Sequence, residues 1–286
     1  MIFGNFQWNR RLWQAGAIVV LLTAGAANGA VRAAESYRFG VVPQFEPRKQ
    51  FAIWAPILRE IGRRAGISLK LVGSPKIPDF EKSFLSGAFD FAYMNPYHAM
   101  LALRTQGYLP LVRDGGRELV GIVVVGKGSK IADIGDLAGK AVAFPAPNAL
   151  GASLVVRAAL ARRNVRGVSR LFVHTHSSVY LHVALGLAVA GGGVMATLRR
   201  QPADIRARLR VIWRSRPLPP HPVMAHPRVS AALRERVRQA FLMLGDSEAG
   251  RTMLAGIPMK KIIRATRADY TALAGLGLDR FYQAAE

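Results

Sequence analysis

Three short stretches carry the residue types from which a binding site could be made: "MNPYHA" (94–99), "PAPNALGA" (145–152) and "HTHSSVY" (174–180). Each follows a run of strand-forming residues and opens onto a helical pattern. Each offers a capping side chain: Asn95, Asn148, and Ser177 or Ser178. Pro96 suits a first helical turn. The first N–H groups of a helix have no partner within it, and its dipole places about half a positive charge there. Several helix starts aimed at one point would therefore hold an anion with few basic side chains. One such bend alone is an ordinary cap. Three of the same construction, two with a histidine and a tyrosine alongside, point to a shared anion site. His176, at a strand end beside two serines, is a natural further donor.

Other chemistries find less support. His174 and His176 alternate along what reads as a strand, and His182, His221 and His226 complete a conceivable zinc set, but no acid lies close in sequence to join or orient it. His98, three residues beyond Asn95, reads as structural. The chain has no G-x-S-x-G elbow, no paired carboxylates and no metalloprotease helix. Ser153 with His176 could form a nucleophile–base pair only by coincidence of fold. No enzyme activity, metal or cofactor is expected.

These bends are set in a regular alternation of strands and helices. "YRFGVVP" (37–43) reads as a buried strand. Phe51, Trp54, Leu58, Ile61 and Ala65 then recur at helical spacing, with Gly66 closing that helix. Strands follow at 68–74 and 89–95, a helix runs from Pro96 to about Gln106, and "LVGIVVVG" (119–126) is the strongest strand of the chain. The pattern then restarts, with strands at "KAVAFP", "LFVHT", "GGGVMA" and "RVIW", before a proline-rich passage at 216–227 and a helix from Ser230. Alternation of this kind implies α/β layers with largely parallel sheets, and two such runs imply two lobes: 34–120 with 227–286, and 121–226. The chain would cross between them near 118–122 and 218–227, leaving a cleft. Two segments also echo one another, "FLSGAFDFAYMN" and "VALGLAVAGGGVM", with Val189 standing where the first has Asp90.

Composition narrows the setting. The 286 residues carry 40 Lys and Arg against 17 acids, a net charge of +23, and 51% are hydrophobic, which is globular composition. Residues 1–33 read as a secretory signal: Arg10 and Arg11, then 19 uncharged residues at 12–30, then "VRA" before a cleavage point near Ala33. The competing reading is a retained anchor, which that run could barely span. Removing the segment takes away three arginines and no acids, leaving +20. With no cysteine anywhere, lipidation, disulfides and thiolate chemistry are excluded, as suits a bacterial periplasm. The basic residues are scattered singly or in pairs without interleaved aromatics, so nucleic acid is not expected as a partner. Their field would draw small anions or an acidic membrane surface.

"FDFAYMNPYHAM", "LAGKAVAFPAPNALGASL", "HTHSSVYLHVALGLAVAGGGV" and "HPVMAHPRV" together resemble the phosphate/phosphite/phosphonate substrate-binding proteins of ABC transporters, over roughly residues 36–285. The resemblance implies a type II periplasmic binding protein. Two lobes, each a mostly parallel sheet flanked by helices and joined by a two-crossing hinge, would close as a monomer on a small oxyanion and deliver it to a membrane permease. It places ligand contacts at Tyr93, at Asn148, Ala149, Leu150 and Gly151, at His176, Ser177 and Ser178, and at Phe45 and Arg48; Asn95 joins them as the cap of its bend. Two positions depart from the family: its Ser/Thr-rich turn is Asn148-Ala149-Leu150 here, and its acid before the glycines is Val189. Both point to a ligand less charged, or larger and partly apolar. Two further readings use the same scaffold, a ligand sensor for a membrane receptor and a secreted hydrolase.

Overall fold

Apart from Met1, Ile2 and Gly4, the computed structural model describes residues 35–257 and 259–284. The expected export signal and its cleavage point lie outside these residues, and no helix among those described is long and apolar enough to cross a membrane.

The first lobe opens with β1 (Ser36–Val41), α1 (Pro47–Ala65), β2 (Ser68–Val72), α2 (Ile77–Leu85), β3 (Phe91–Tyr93), α3 (Pro96–Gln106) and β4 (Leu109–Asp114). Its helix boundaries follow from local chemistry. Pro47 and Pro96 occupy first turns, and α1 and α3 end at Gly66 and Gly107, with φ of 68° and 70°, a left-handed cap that glycine adopts without a Cβ clash. The second lobe comprises β5 (Gly121–Gly126), β6 (Ala141–Phe144), a π turn (Leu150–Leu154), α4 (Val155–Arg162), β7 (Ser169–Phe172), α5 (His176–Ala184), β8 (Ala190–Val194), α6 (Met195–Arg199), α7 (Ala203–Ala207) and β9 (Leu209–Arg214). The chain then returns as β10 (Val223–Ala225), α8 (Ala231–Asp246), α9 (Glu248–Leu254) and β11 (Ile262–Arg264). The expected apolar face of α8, Leu233, Val237, Ala240, Phe241 and Leu244, is buried in the first lobe's core with α1.

Strand order is β11-β4-β10-β3-β1-β2 in the first sheet and β7-β6-β8-β5-β9 in the second. The two-lobed α/β architecture is the expected one, but both sheets are mixed, not mostly parallel. The reason is connectivity. Helical crossovers bring strands back parallel, whereas β5 and β10 are delivered by the direct passages between lobes. Each runs against both of its neighbours, and β11 runs against β4. Because β10 pairs within the first sheet, the second passage ends before residue 223, earlier than the expected boundary at 226. The two passages lie side by side: Leu119 and Leu218 exchange main-chain hydrogen bonds of 2.9 Å, and Ser215 accepts from the Gly121 N–H at 2.9 Å through its hydroxyl.

The glycines of β8 are required by close approach. A Cβ on Gly192 would lie 2.0 Å from the Ala152 carbonyl oxygen and 2.7 Å from the Phe144 ring. The π turn can therefore rest directly on the sheet. Gly151 within that turn faces Leu119 and Val194 at 2.6 and 2.7 Å from its own would-be Cβ.

Candidate functional site

The expected bends meet at one cavity between the lobes. It is lined from the first lobe by Val42, Pro43 and Gln44 after β1, Ile77, and Asn95 after β3; from the second by 149–152 in the π turn, His176 and Val194; and from the passages by Leu119 and His221. Among the described residues, no Lys, Arg, Asp or Glu lines it. The cavity has room for roughly one water molecule, so the lobes are closed upon one another.

Main-chain donors come from the π turn. The N–H groups of Ser153 and Leu154 both bond the Ala149 carbonyl, at 2.7 and 3.2 Å. Those of Leu150, Gly151 and Ala152 precede the first such bond and have no intrahelical acceptor. Asn95 caps α3 as expected, its Oδ1 accepting from the His98 N–H at 2.9 Å, while its Nδ2 lies 3.0 Å from His98 Nδ1 and 3.4 Å from the Asn148 carbonyl of the other lobe. The cap of α5 is Thr175, not Ser177 or Ser178; its hydroxyl accepts from the Ser178 N–H at 3.0 Å and lies 2.8 Å from the Ser178 hydroxyl. The strand β7 stops at Phe172, and His174 takes a left-handed φ of 71°. His174 and His176 therefore do not share a strand face, and His176 opens α5 at the cavity while both serines stay half-buried outside the lining.

His176 and His221 are held as neutral imidazoles. Burial lowers His176 to about 4. Burial, then the proximity of His176 and His98, lowers His221 to about 3. His176 Nδ1 lies 3.4 Å from the Thr197 hydroxyl, and His221 Nε2 lies 3.1 Å from Gln44 Nε2. Tyr93 stands one layer behind, its ring 5.3 Å from that of His221 and 4.8 Å from Trp54. Its buried hydroxyl has no hydrogen-bond partner, and burial raises its pKa.

The remaining expected residues sit elsewhere. Phe45 is buried beneath the Lys49 ammonium, which lies 4.7 Å from its ring centroid, and Arg48 is exposed on the first turn of α1; neither lines the cavity. Asn148 is occupied as a fastener. Its Nδ2 donates to Glu81 Oε2 at 2.9 Å and to the Gln283 carbonyl at 2.6 Å, and its Oδ1 accepts from the Gln283 N–H at 2.9 Å. Both of its N–H donors are thus consumed, and an anion needs donors. Glu81, 1% exposed, completes a buried network by meeting His98 Nε2 at 2.8 Å.

The C-terminal tail joins the same seam. Asp279 accepts from the Tyr97 hydroxyl of α3 at 2.6 Å, Tyr282 packs 5.8 Å from the Tyr97 ring, and Arg157 of α4 donates to the Phe281 carbonyl and, at 2.7 Å, to that of Pro147. Residues 279–283 therefore touch both lobes. Gln44, Thr197 and Gln283 gave no sequence signal. Glu81 gave one: it is the single acid on the apolar face formed by Ile77, Phe80 and Phe84. Among the described residues, no three His, Asp or Glu side chains gather to hold a metal ion.

Comparison with known proteins places this geometry. Among solved structures, the chain is similar to a binding-protein component of an ABC phosphonate transporter from Pseudomonas aeruginosa, at 19% identity over 87% of this chain and 88% of that one, with TM-score 0.77. It is similar to PhnD1 of Prochlorococcus marinus in complex with methylphosphonate, at 15% identity over 86% and 98%, with TM-score 0.78. A Xanthomonas citri protein bound to ATP matches at 18% identity over 88% and 100%, with TM-score 0.71. At such identities these likenesses are of fold. The profile of the family described as "ABC transporter, phosphonate, periplasmic substrate-binding protein" matches residues 39–270. With strand-to-helix bends from both lobes gathered on a single cavity, and a family match over most of its length, the chain belongs to the phosphonate periplasmic substrate-binding proteins of ABC transporters.

Proposed function

We propose that the protein captures a small tetrahedral oxyanion, a phosphonate, phosphite or phosphate, between its lobes in the periplasm and passes it to an ABC permease. One observation carries this reading: bends after β1, β3 and β6 and the start of α5 converge on a cavity that, among the described residues, offers backbone N–H groups and neutral polar side chains but no cation. Donors fixed in place bind an anion without the entropy cost of immobilising long basic side chains, and hydrogen bonds to a charged acceptor contribute about 1.5–3 kcal/mol each. The donors are the N–H groups of 150–152, Gln44, His176 and His221, with the Tyr93 hydroxyl behind them; Asn95, its amide hydrogens engaged by His98 and the Asn148 carbonyl, shapes the wall. The methylphosphonate complex of a protein of the same fold supports the ligand class. Since the cavity holds about one water, the lobes part to admit a ligand, and contacts to both lobes then favour closure.

Isothermal titration with methylphosphonate, phosphite and phosphate tests capture, with saturable binding expected for at least one. Absence of both heat and thermal stabilisation with all three contradicts the reading. Uptake of the bound anion by cells with and without the gene tests delivery.

A further inference from the structure

The cleft poses a charge problem. A tetrahedral oxyanion brings one or two negative charges into a cavity with no Lys or Arg among the described residues of its wall, and burying an anion unpaired is costly. Among the described residues, the titratable side chains lining the cavity are His176, from the second lobe, and His221, from the second passage. His176 touches Thr197 through Nδ1, and His221 touches Gln44 through Nε2. We propose that the His176–His221 pair takes up a proton from solvent as the oxyanion seats, so that the clamp captures its ligand as an anion–imidazolium pair. This deepens the oxyanion reading and rests on it.

Among the described residues, the surroundings leave that role to no other group. Facing His176 are the Thr197 hydroxyl and, through it, that of Tyr180 at 2.9 Å, both neutral. Facing His221 are Gln44, the Tyr93 ring and His98, which is itself engaged by Glu81; the Tyr270 hydroxyl donates to the carbonyl of adjacent Pro220. Arg117 and Glu118, of opposite charge, line the adjoining groove together with Gln44 and His221. Arg200 is held by the carbonyls of Ala255 and Ile257, and Asp114 accepts from the N–H groups of Gly116, Lys260 and Lys261. With the cleft closed and no anion present, burial keeps both imidazoles neutral. An opposite charge in the cavity favours the protonated form. If the proton lands on His221 Nε2, Gln44 turns its amide so that Oε1 accepts where Nε2 had donated.

Linkage fixes the signature. One proton bound with the ligand makes affinity fall about tenfold per pH unit wherever the free imidazoles are neutral. Titrations of the full chain with methylphosphonate, inorganic phosphate and sulfate, between about pH 6 and pH 8 in two buffers of different ionisation heat, measure both slope and proton count. Sulfate stays dianionic throughout and isolates the protein's contribution. We expect uptake of about one proton beyond the anion's own, with His176→Gln and His221→Gln each lowering the uptake and flattening the slope; melting curves verify that each variant is folded. Binding with uptake fully explained by the anion's own ionisation, and identical in the variants, overturns this proposal and leaves the oxyanion reading intact. Failure of all three anions to bind overturns the oxyanion reading, and this proposal with it.

Discussion

Replacing Asn148 by alanine separates a fastening role from a ligand-binding one. The substitution removes the bonds to Glu81 and to both main-chain groups of Gln283. Glu81 is nearly fully buried and loses one of its two side-chain partners; a buried acceptor left unpaired costs roughly 1–3 kcal/mol. Gln283 is exposed, so water replaces its lost partner and the further cost is on the order of 1 kcal/mol. The sum, about 2–4 kcal/mol, corresponds to a melting temperature lower by roughly 5–15 °C for a domain of this size. Scanning fluorimetry without ligand reads that drop, and titration with methylphosphonate at a temperature well below both transitions reads binding. Asn148→Asp provides a second arm, since it sets a carboxylate against Glu81. Like charges raise the carboxyl pKa in the folded state, so the penalty is absent where the carboxyls are protonated and full above that range. The Asn148→Asp variant should approach the parent near about pH 4 and fall below it toward pH 8. A Asn148→Ala variant that melts within a degree or two of the parent yet loses the ligand would refute the fastening assignment.

Two further outcomes follow from the same geometry. His176 and His221 titrate in the folded protein at about 4 and about 3, below the ordinary histidine value of 6.5. Depressed values mean that burying the neutral rings stabilises the closed fold above about pH 6.5, and that this stability drains away as pH falls through about 4 and on to about 3. Without ligand, the parent should therefore lose melting temperature on acidification more steeply than a His176→Gln/His221→Gln double variant; parallel curves would contradict this. Gly192→Ala drives a methyl against the Ala152 carbonyl oxygen at 2.0 Å. Because backbone must yield, a loss of about 1–3 kcal/mol or more is expected, together with displacement of the π turn and weakened anion binding; unchanged affinity would detach that turn from the site.

The architecture was largely legible because its signals are local. Pro96 and Asn95 announce the start of α3, Gly66 the end of α1, and the spacing of Leu233, Val237, Ala240, Phe241 and Leu244 marks the inner face of α8. Strand direction was not legible: "GIVVVG" is equally apolar whichever way its neighbours run, and only the passage between lobes reverses it. The three-residue β10 was hidden among prolines. The convergence of the bends could be read, but their individual roles could not. Asn148 is satisfied by a residue 135 positions away. An i→i+5 turn has no distinguishing composition. His221 owes its place to the return passage. A left-handed His174 moved the cap of α5 back to Thr175, since one twisted residue ends a strand sooner than its composition suggests.

The tail residues that bind Tyr97 on one side and Arg157 and Asn148 on the other have a kinetic consequence. In the proposed clamp, cleft opening would have to detach them, so the two hinge passages would not alone set how fast the solute enters. At high solute concentration the observed association rate should level off at the rate of that detachment, and release should be correspondingly slow. A transporter fed by such a protein would trade quick turnover for long retention of scarce cargo.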